Sequence, residues 1–295
     1  MQRRKVLGQL ALTPLILNSG FKFKPTIQDR RLQFSVNAYS FNQQLRDGQM
    51  NFDDMMEYAA DIGLNAVDLT GYYFKSYPEI PDDKELFRLK KKALRLGLNI
   101  SWTGVRNDFT VPDREARNAD IEFIKNWLIV SQKLGATIMR IYAGRGDYTG
   151  YSKDQVKKWM AEDFKVCAEF AQKTGVIAAL QHHNNFLFKA DEVIDMIERV
   201  DSEWFGLILD VGSLDDPDPY SEIEKLAPYA DYWFVKEHVT QNGKRVPVNM
   251  DKIATILKKS DYRGYISFES LSPDGDPKEI VKDMFSSFKK AYEKA

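Results

Sequence analysis

The sequence predicts the α/β class and, within it, a single-domain (β/α)8 TIM barrel. Three observations point there. Short β-rich runs alternate with helix-patterned segments from Leu32 to the C-terminus. A glycine corner recurs where a helix hands over to the next strand. Polar residues close nearly every apolar run. The chain has 295 residues, and eight strand–helix units in about 260 residues match the usual size of such a barrel.

The β-rich runs fall at Gln33–Tyr39, Ala66–Thr70, Asn99–Thr103, Thr137–Tyr142, Ile177–His182, Gly206–Asp210, Tyr232–Lys236 and Tyr265–Glu269. Each is short and rich in Val, Ile, Leu and aromatic residues, as a strand buried on both faces requires. Between them apolar residues recur with helical spacing. Phe52, Met55, Met56 and Ala59 form one stripe; Val156, Met160, Phe164, Cys167 and Ala171 form another; Ile280, Met284, Phe285 and Phe288 a third. Gly63, Gly97, Gly135 and Gly175 each follow such a stripe and precede a strand, where a left-handed residue ends the helix. An open doubly wound sheet would bring a glycine-rich phosphate loop after its first strand. Here that strand runs into Ser35-Val36-Asn37-Ala38-Tyr39-Ser40-Phe41, which has no glycine. The Asn242-Gly243 pair between Val239 and Val246 reads as a small hairpin after the seventh strand, placed to cover the barrel mouth or to meet a second copy in a homo-oligomer.

Residues 1–20 read as a separate piece. Arg3, Arg4 and Lys5 precede an apolar stretch, Val6–Leu17, that is too short to span a bilayer as a helix. This is the layout of an export signal of the twin-arginine type, followed by a linker over 21–31. It predicts a periplasmic protein with no stable membrane anchor; without a working signal, the protein stays cytoplasmic.

Composition narrows the function. With 42 basic and 43 acidic residues the formal net charge is −1, so no basic surplus exists for nucleic acid. One cysteine excludes an intramolecular disulfide and a Cys-rich zinc site. Three histidines, His182, His183 and His238, mean that any metal site leans on carboxylates. Cys167 lies in a helical stripe and reads as core.

In a (β/α)8 barrel the chemistry sits at the carboxyl ends of the strands. Collected strand by strand, the polar candidates are Asn37 and Tyr39; Asp68 and Thr70; Trp102 and Arg106; Arg140 and Tyr142; Gln181, His182 and His183; Asp210 and Ser213; Lys236, Glu237 and His238; and Glu269. Strand alternation puts Phe234, Lys236 and His238 on one face and Gln181 with His183 on another shared face, leaving His182 as a structural residue. Asp68 and Arg140 suit a buried ion pair under the rim. Asn37, Tyr39, Trp102, Arg140, Tyr142, Gln181, His183 and His238 are the substrate-binding candidates. Lys236, among Trp233, Phe234 and Val235, is expected to have its pKa lowered by desolvation toward that of a working base, with Glu269 as the second catalytic group.

Four phrases, Leu180-Gln181-His182-His183-Asn184, Leu207-Ile208-Leu209-Asp210-Val211-Gly212-Ser213, Val235-Lys236-Glu237 and Gly264-Tyr265-Ile266-Ser267-Phe268-Glu269, make the chain from Leu32 onward resemble the xylose-isomerase-like barrel family of sugar isomerases and epimerases. The resemblance implies one divalent metal held by a glutamate, an aspartate, a histidine and a glutamate on the fifth to eighth strands, with the two glutamates moving protons beside a sugar carbonyl. Asp210 and Glu269 match that set; the other two positions hold Gln181 and Phe234. Asp210, Glu269 and His183 are the remaining ligand candidates for manganese, cobalt, magnesium or zinc, and the alternative is no cofactor. The expected function is isomerisation or epimerisation of a small carbohydrate by proton abstraction beside a carbonyl. The alternatives are a keto-sugar lyase or dehydratase of the same family, or a non-catalytic carbohydrate-binding barrel. A glutamine cannot take a proton, which favours one-base chemistry. The family's DNA-repair nuclease branch uses a histidine-rich zinc cluster, for which three histidines are too few.

Overall fold

The computed structural model describes residues 32–183 and 186–295. The predicted export segment, 1–20, and the linker, 21–31, lie outside the described residues, as do Asn184 and Asn185. Eight parallel strands close into one barrel: β1 (Gln33–Val36), β2 (Ala66–Asp68), β3 (Asn99–Gly104), β4 (Ile138–Tyr142), β5 (Ile177–Gln181), β6 (Phe205–Asp210), β7 (Tyr232–Lys236) and β10 (Tyr265–Glu269). Closure is made by β10 against β1, with Gln33 opposite Tyr265 and Val36 opposite Phe268. The predicted hairpin is present as β8 (His238–Gln241) and β9 (Lys244–Pro247), paired only with each other as strands.

Helices α1 (Asn42–Arg46), α2 (Phe52–Asp61), α3 (Asp83–Arg95), α4 (Arg114–Leu134), α5 (Lys153–Thr174), α6 (Ala190–Val200), α7 (Pro219–Leu226), α8 (Met250–Lys259) and α9 (Pro277–Lys294) surround the barrel. Their ends are written locally. Asn51 and Asp54 form a capping box on α2, and Ser152 and Gln155 form one on α5; such a cap stabilises a helix by about 1 kcal/mol. Gly63, Gly97, Gly135 and Gly175 all adopt positive φ, between 68° and 81°, a conformation that costs any residue with a Cβ. Among the described residues no helix is long and apolar enough to cross a membrane.

Two apolar regions result. The larger lies between sheet and helices and contains all the predicted stripe residues, Cys167 among them; Ile280 is only partly buried there. The smaller fills the barrel itself: Trp102, Ile138, Ala179, Ile208, Tyr232 and Phe234. Trp102 and Phe234 are the centre of this plug, with ring centroids 5.2 Å apart. The Tyr232 hydroxyl is buried but hydrogen-bonded to Ser101 at 2.9 Å, which removes the penalty of an unpaired polar group. The plug closes the lower barrel and leaves the carboxyl ends of the strands as the open end.

Candidate active site

A cavity of about 680 Å³ occupies that open end. Strand ends provide Arg140, Tyr142, Gln181, Lys236 and Glu269, and the following loops provide Tyr39, His183, Ser213 and His238. The hairpin places His238 and Arg245 on its wall, so it reaches the barrel mouth.

The deepest part is an ionic cluster. Neighbouring register puts Glu269 opposite Lys236 and Asp210 opposite Phe234. Lys236 Nζ donates to Asp210 Oδ2 at 2.7 Å and lies 3.2 Å from Glu269 Oε2. Gln181 Nε2 donates to the same Asp210 oxygen at 2.7 Å. Asp210 Oδ1 accepts the Gly212 amide at 3.1 Å. A Cβ on Gly212 would stand 2.8 Å from Lys236 Cδ, so the lysine stem needs glycine there. Glu269 Oε2 is within ion-pair range but has no aligned hydrogen-bond donor.

The electrostatics follow from burial and contact. Burial alone would raise the Asp210 pKa, but the Lys236 ammonium and the two nearby histidines outweigh it and hold the carboxyl well below its ordinary value. For Glu269 burial wins over the Lys236 charge, and its pKa is raised. Burial would lower the Lys236 pKa, but Asp210 and Glu269 together raise it. This corrects the expectation of a neutral amine: the apolar neighbours Trp233 and Val235 are core, whereas the amine itself meets two carboxylates. Lys236 is an ammonium, not a base.

Around this cluster stands an aromatic and cationic wall. The Arg140 guanidinium lies 4.3 Å from the Tyr142 ring centroid, 5.1 Å from Trp102 and 5.7 Å from Tyr72, distances at which cation–π attraction operates. It donates to the Val105 carbonyl at 3.2 Å, and its Nε is buried without a partner. Arg106 stacks over Tyr72 at 4.5 Å. The loops after β3 and β4 are clamped together: Asn107 exchanges hydrogen bonds with the Tyr142 backbone at 2.7 and 2.8 Å. Asp108 accepts the Arg145 amide at 2.8 Å and donates its own N–H to Asp120 at 2.6 Å. A Cβ on Gly144 would come within 1.9 Å of Asp108 Oδ1, so the clamp depends on that glycine.

The histidines divide as alternation predicts. His183 lines the cavity, its ring edge-on to Tyr142 at 5.7 Å. His182 is buried on the opposite side, where its Nε2 accepts the Asp210 amide at 3.0 Å. Burial lowers the pKa of both to about 4. Glu237 faces away and accepts the Leu271 and Ser272 amides at 2.6 and 2.9 Å, tying the loop after β10 to the end of β7.

Three expectations need correction. Trp102 does not line the cavity; it points inward one layer too low and belongs to the plug. Asn37 does not line it either; its Oδ1 accepts the Tyr39 amide at 2.9 Å and caps the turn after β1. Asp68 and Arg140 form no ion pair. Asp68 instead accepts Ala38 N–H at 2.7 Å and the Thr70 hydroxyl at 2.6 Å, and burial pushes its pKa up to about 7. Conversely, Tyr72, Asn107, Asp108, Asp120, Arg145 and Arg245 line the cavity without having been singled out.

The residues do not fit a divalent metal. Gln181 presents its amide N–H to Asp210, and the fourth position is the Phe234 ring of the plug. Among the described residues no three His, Cys, Asp or Glu side chains are grouped to hold an ion. The proposed set Asp210, Glu269 and His183 is therefore not assembled as a site; the Lys236 ammonium stands between its two carboxylates.

The architecture is a single-domain (β/α)8 barrel with a polar cavity at the strand ends. The sequence profile of the xylose isomerase-like TIM barrel family matches residues 31–291, and the chain belongs to that family. A sequence comparison with the curated proteins finds no match. Solved structures share the fold. The IolI protein with a bound zinc atom superposes with a TM-score of 0.73 at 14% identity, over 89% of this chain and 99% of that one. D-psicose 3-epimerase from Clostridium cellulolyticum H10, with D-tagatose, gives 0.70 at 17% identity over 89% and 96%. The probable 3-DHS dehydratase AsbF from Bacillus anthracis gives 0.65 at 20% identity over 88% and 98%.

Proposed function

We propose that the protein is a sugar isomerase- or epimerase-like enzyme that removes a proton beside the carbonyl of a keto-sugar or sugar derivative. Glu269 is the base. One observation carries the assignment. Of the carboxyl side chains lining the cavity, Asp108 and Asp120 accept backbone amides, whereas Glu269 Oε2 has no aligned donor. Its raised pKa brings it nearer to that of a base matched to neutral pH. The proton moves from the carbon beside the carbonyl to Glu269, and the negative charge developing on the carbonyl oxygen is met by Lys236 and Arg140. Where that carbon bears a hydroxyl, passing the hydroxyl proton to the former carbonyl oxygen and returning the carbon-bound proton from Glu269 to the former carbonyl carbon shifts the carbonyl by one position and completes an isomerisation. Return from the opposite face completes an epimerisation and needs a second acid; His183, on the wall but with its pKa lowered to about 4, is neutral near pH 7 and is not that acid.

Elimination is the second reading. Gln181 occupies the strand end across the cluster from Glu269 and cannot exchange a proton, so one-base chemistry that expels a group beside the carbanion suits the cavity. The solved structures that this chain resembles include both an epimerase and a probable dehydratase. The basic start and short apolar stretch of residues 1–20 support export to the periplasm, and Arg3→Lys with Arg4→Lys should then leave the enzyme in the cytoplasmic fraction.

The test is solvent-deuterium exchange into a panel of keto-sugars, followed by NMR. We expect exchange in the native protein and a loss of about 10²- to 10⁴-fold in Glu269→Gln, the usual contribution of a positioned base. A sugar that binds tightly yet never exchanges or reacts would make the protein a carbohydrate-binding barrel instead.

A further inference from the structure

We infer that the Lys236 ammonium is the resident cation of this cavity, occupying by covalent tether the electrostatic position that a divalent ion would take between Asp210 and Glu269, and that the protein works without a bound metal.

The geometry makes the argument. Nζ stands 2.7 Å from Asp210 Oδ2 and 3.2 Å from Glu269 Oε2. A divalent ion bound to the same two oxygens would sit at about 2.0–2.2 Å from each. It would therefore lie within about 5 Å of the ammonium, a separation at which two cations in a buried site repel strongly. The lysine cannot easily leave: Gly212 is held against its stem, and the side chain is 5% exposed. The rest of the donor set is closed as well. Gln181 turns its N–H₂ to Asp210, an orientation dictated by the carboxylate, because turning its carbonyl there would set two acceptors face to face. Phe234 packs tilted against Trp102 and edge-on to Tyr232 and gives no donor at all.

The same substitutions explain one another. Replacing a carboxylate and an imidazole by an amide and a phenyl ring removes the charge and the donors that a divalent ion needs. What remains, two carboxylates with one ammonium, is already compensated to a net −1. A monovalent tethered cation is the right partner for that reduced set, and a divalent ion is not. The role of Nζ as hydrogen-bond donor to a substrate oxygen rests on the proton-abstraction reading above; its exclusion of metal does not.

The test measures metal directly. Manganese(II) is titrated into chelator-treated native protein and into Lys236→Met, with binding read by calorimetry and by electron paramagnetic resonance, and folding checked by circular dichroism. We expect no stoichiometric binding by the native protein. Binding at least about 10-fold tighter should appear in Lys236→Met, where Asp210 and Glu269 are left without their cation. Micromolar, stoichiometric manganese in the native protein overturns the inference, and so does a folded Lys236→Met that binds no better. Should that variant not fold, the native protein decides. An unchanged melting temperature with manganese or after chelation supports the tethered cation, and a clear rise with manganese that the chelator reverses overturns it. Neither readout depends on catalysis, so a failed deuterium exchange would leave this result standing.

Discussion

The barrel interior holds two layers of opposite character, made by the same strands one pleat apart. β4 gives Ile138 below and Arg140 above; β5 gives Ala179 and Gln181; β6 gives Ile208 and Asp210; β7 gives Phe234 and Lys236. Two residues along a strand span about 6.6 Å, and over that distance the interior changes from close-packed rings to buried ions. The lower layer stabilises by burial, and the groups it leaves without an aligned partner, Trp102 Nε1 and Ser267 Oγ, are neutral. The upper layer holds charges that burial penalises and leaves Gln181 Oε1, Arg140 Nε and Glu269 Oε2 without aligned partners. Unpaired buried groups cost stability, so the upper layer depends on the closed lower one for its shape. The difference separates what holds the barrel together from what faces a substrate.

The largest effect expected on this contrast comes from Asp210→Asn. It leaves Lys236 with only the longer contact to Glu269, and breaking a buried pair from one side costs about 3–5 kcal/mol. Phe234→Leu, one pleat below, removes ring atoms from the plug and should cost about 1–2 kcal/mol. Denaturant melts of the two variants, run with the exchange assay, test the separation. Asp210→Asn should lose both stability and exchange; Phe234→Leu should lose some stability and keep most of the exchange. Were Phe234→Leu the more damaging to exchange, the two layers would be functionally one.

Acid should act on the upper layer. His182 and His183 have pKa values lowered to about 4 by burial, against about 6.5 in an unfolded chain. Between those values the unfolded state binds protons that the folded state does not, so stability is full above about pH 6.5 and falls as the pH drops toward 4. The shift corresponds to about 3 kcal/mol per histidine at the bottom of the window. Glu269 runs the other way: its raised pKa means the unfolded state ionises first, so its contribution is lost as the pH rises through the carboxylate range. Asp68, whose pKa burial raises to about 7, opposes the histidines over the same range, so the test is a difference between proteins: from pH 7 to pH 4 the native protein should lose more stability, or gain less, than His182→Gln. Equal melting profiles would mean that His182 keeps its unfolded-chain pKa in the fold.

The repeat of strands and helices was readable because each unit carries its own signals: β-rich runs, apolar stripes and a glycine at the corner. Every predicted strand is present, with shorter ends at β1, β2, β4 and β5. Alternation placed Lys236 with Phe234 and separated His182 from His183, since period two holds along β7 and carries past the end of β5; between β2 and β3 it breaks at an irregularity between Val67 and Asp68. It did not give height, and so Trp102, inward but low, looked like a cavity residue. The charge state of Lys236 was legible only wrongly. Its sequence neighbours are apolar, and the carboxylates that decide it come from β6 and β10. Tyr72 and Asp120 were missed for a related reason. One sits in a short 3-10 turn after β2 and the other in the first third of α4, and neither ends a strand.

The smallest expected effect concerns the hairpin, which belongs to neither layer. Asn242 and Gly243 adopt φ of 51° and 74°, the two positive values of a type I′ turn. The hairpin is tied to the barrel by Thr240 Oγ1 donating to the Gly212 carbonyl at 2.9 Å and by the Gly243 amide donating to Asp215 at 2.9 Å. Gly243→Ala puts a Cβ into a left-handed position, which costs about 1–2 kcal/mol. That strain acts on the hairpin alone, so the melting temperature of the barrel should hardly move. His238 and Arg245 would lose their fixed place on the wall. If they serve only to hold substrate, KM should rise about two- to fivefold with kcat unchanged, the pattern of lost uniform binding. A fall in kcat instead would bring the hairpin into the upper layer, as part of the chemistry and not merely its cover.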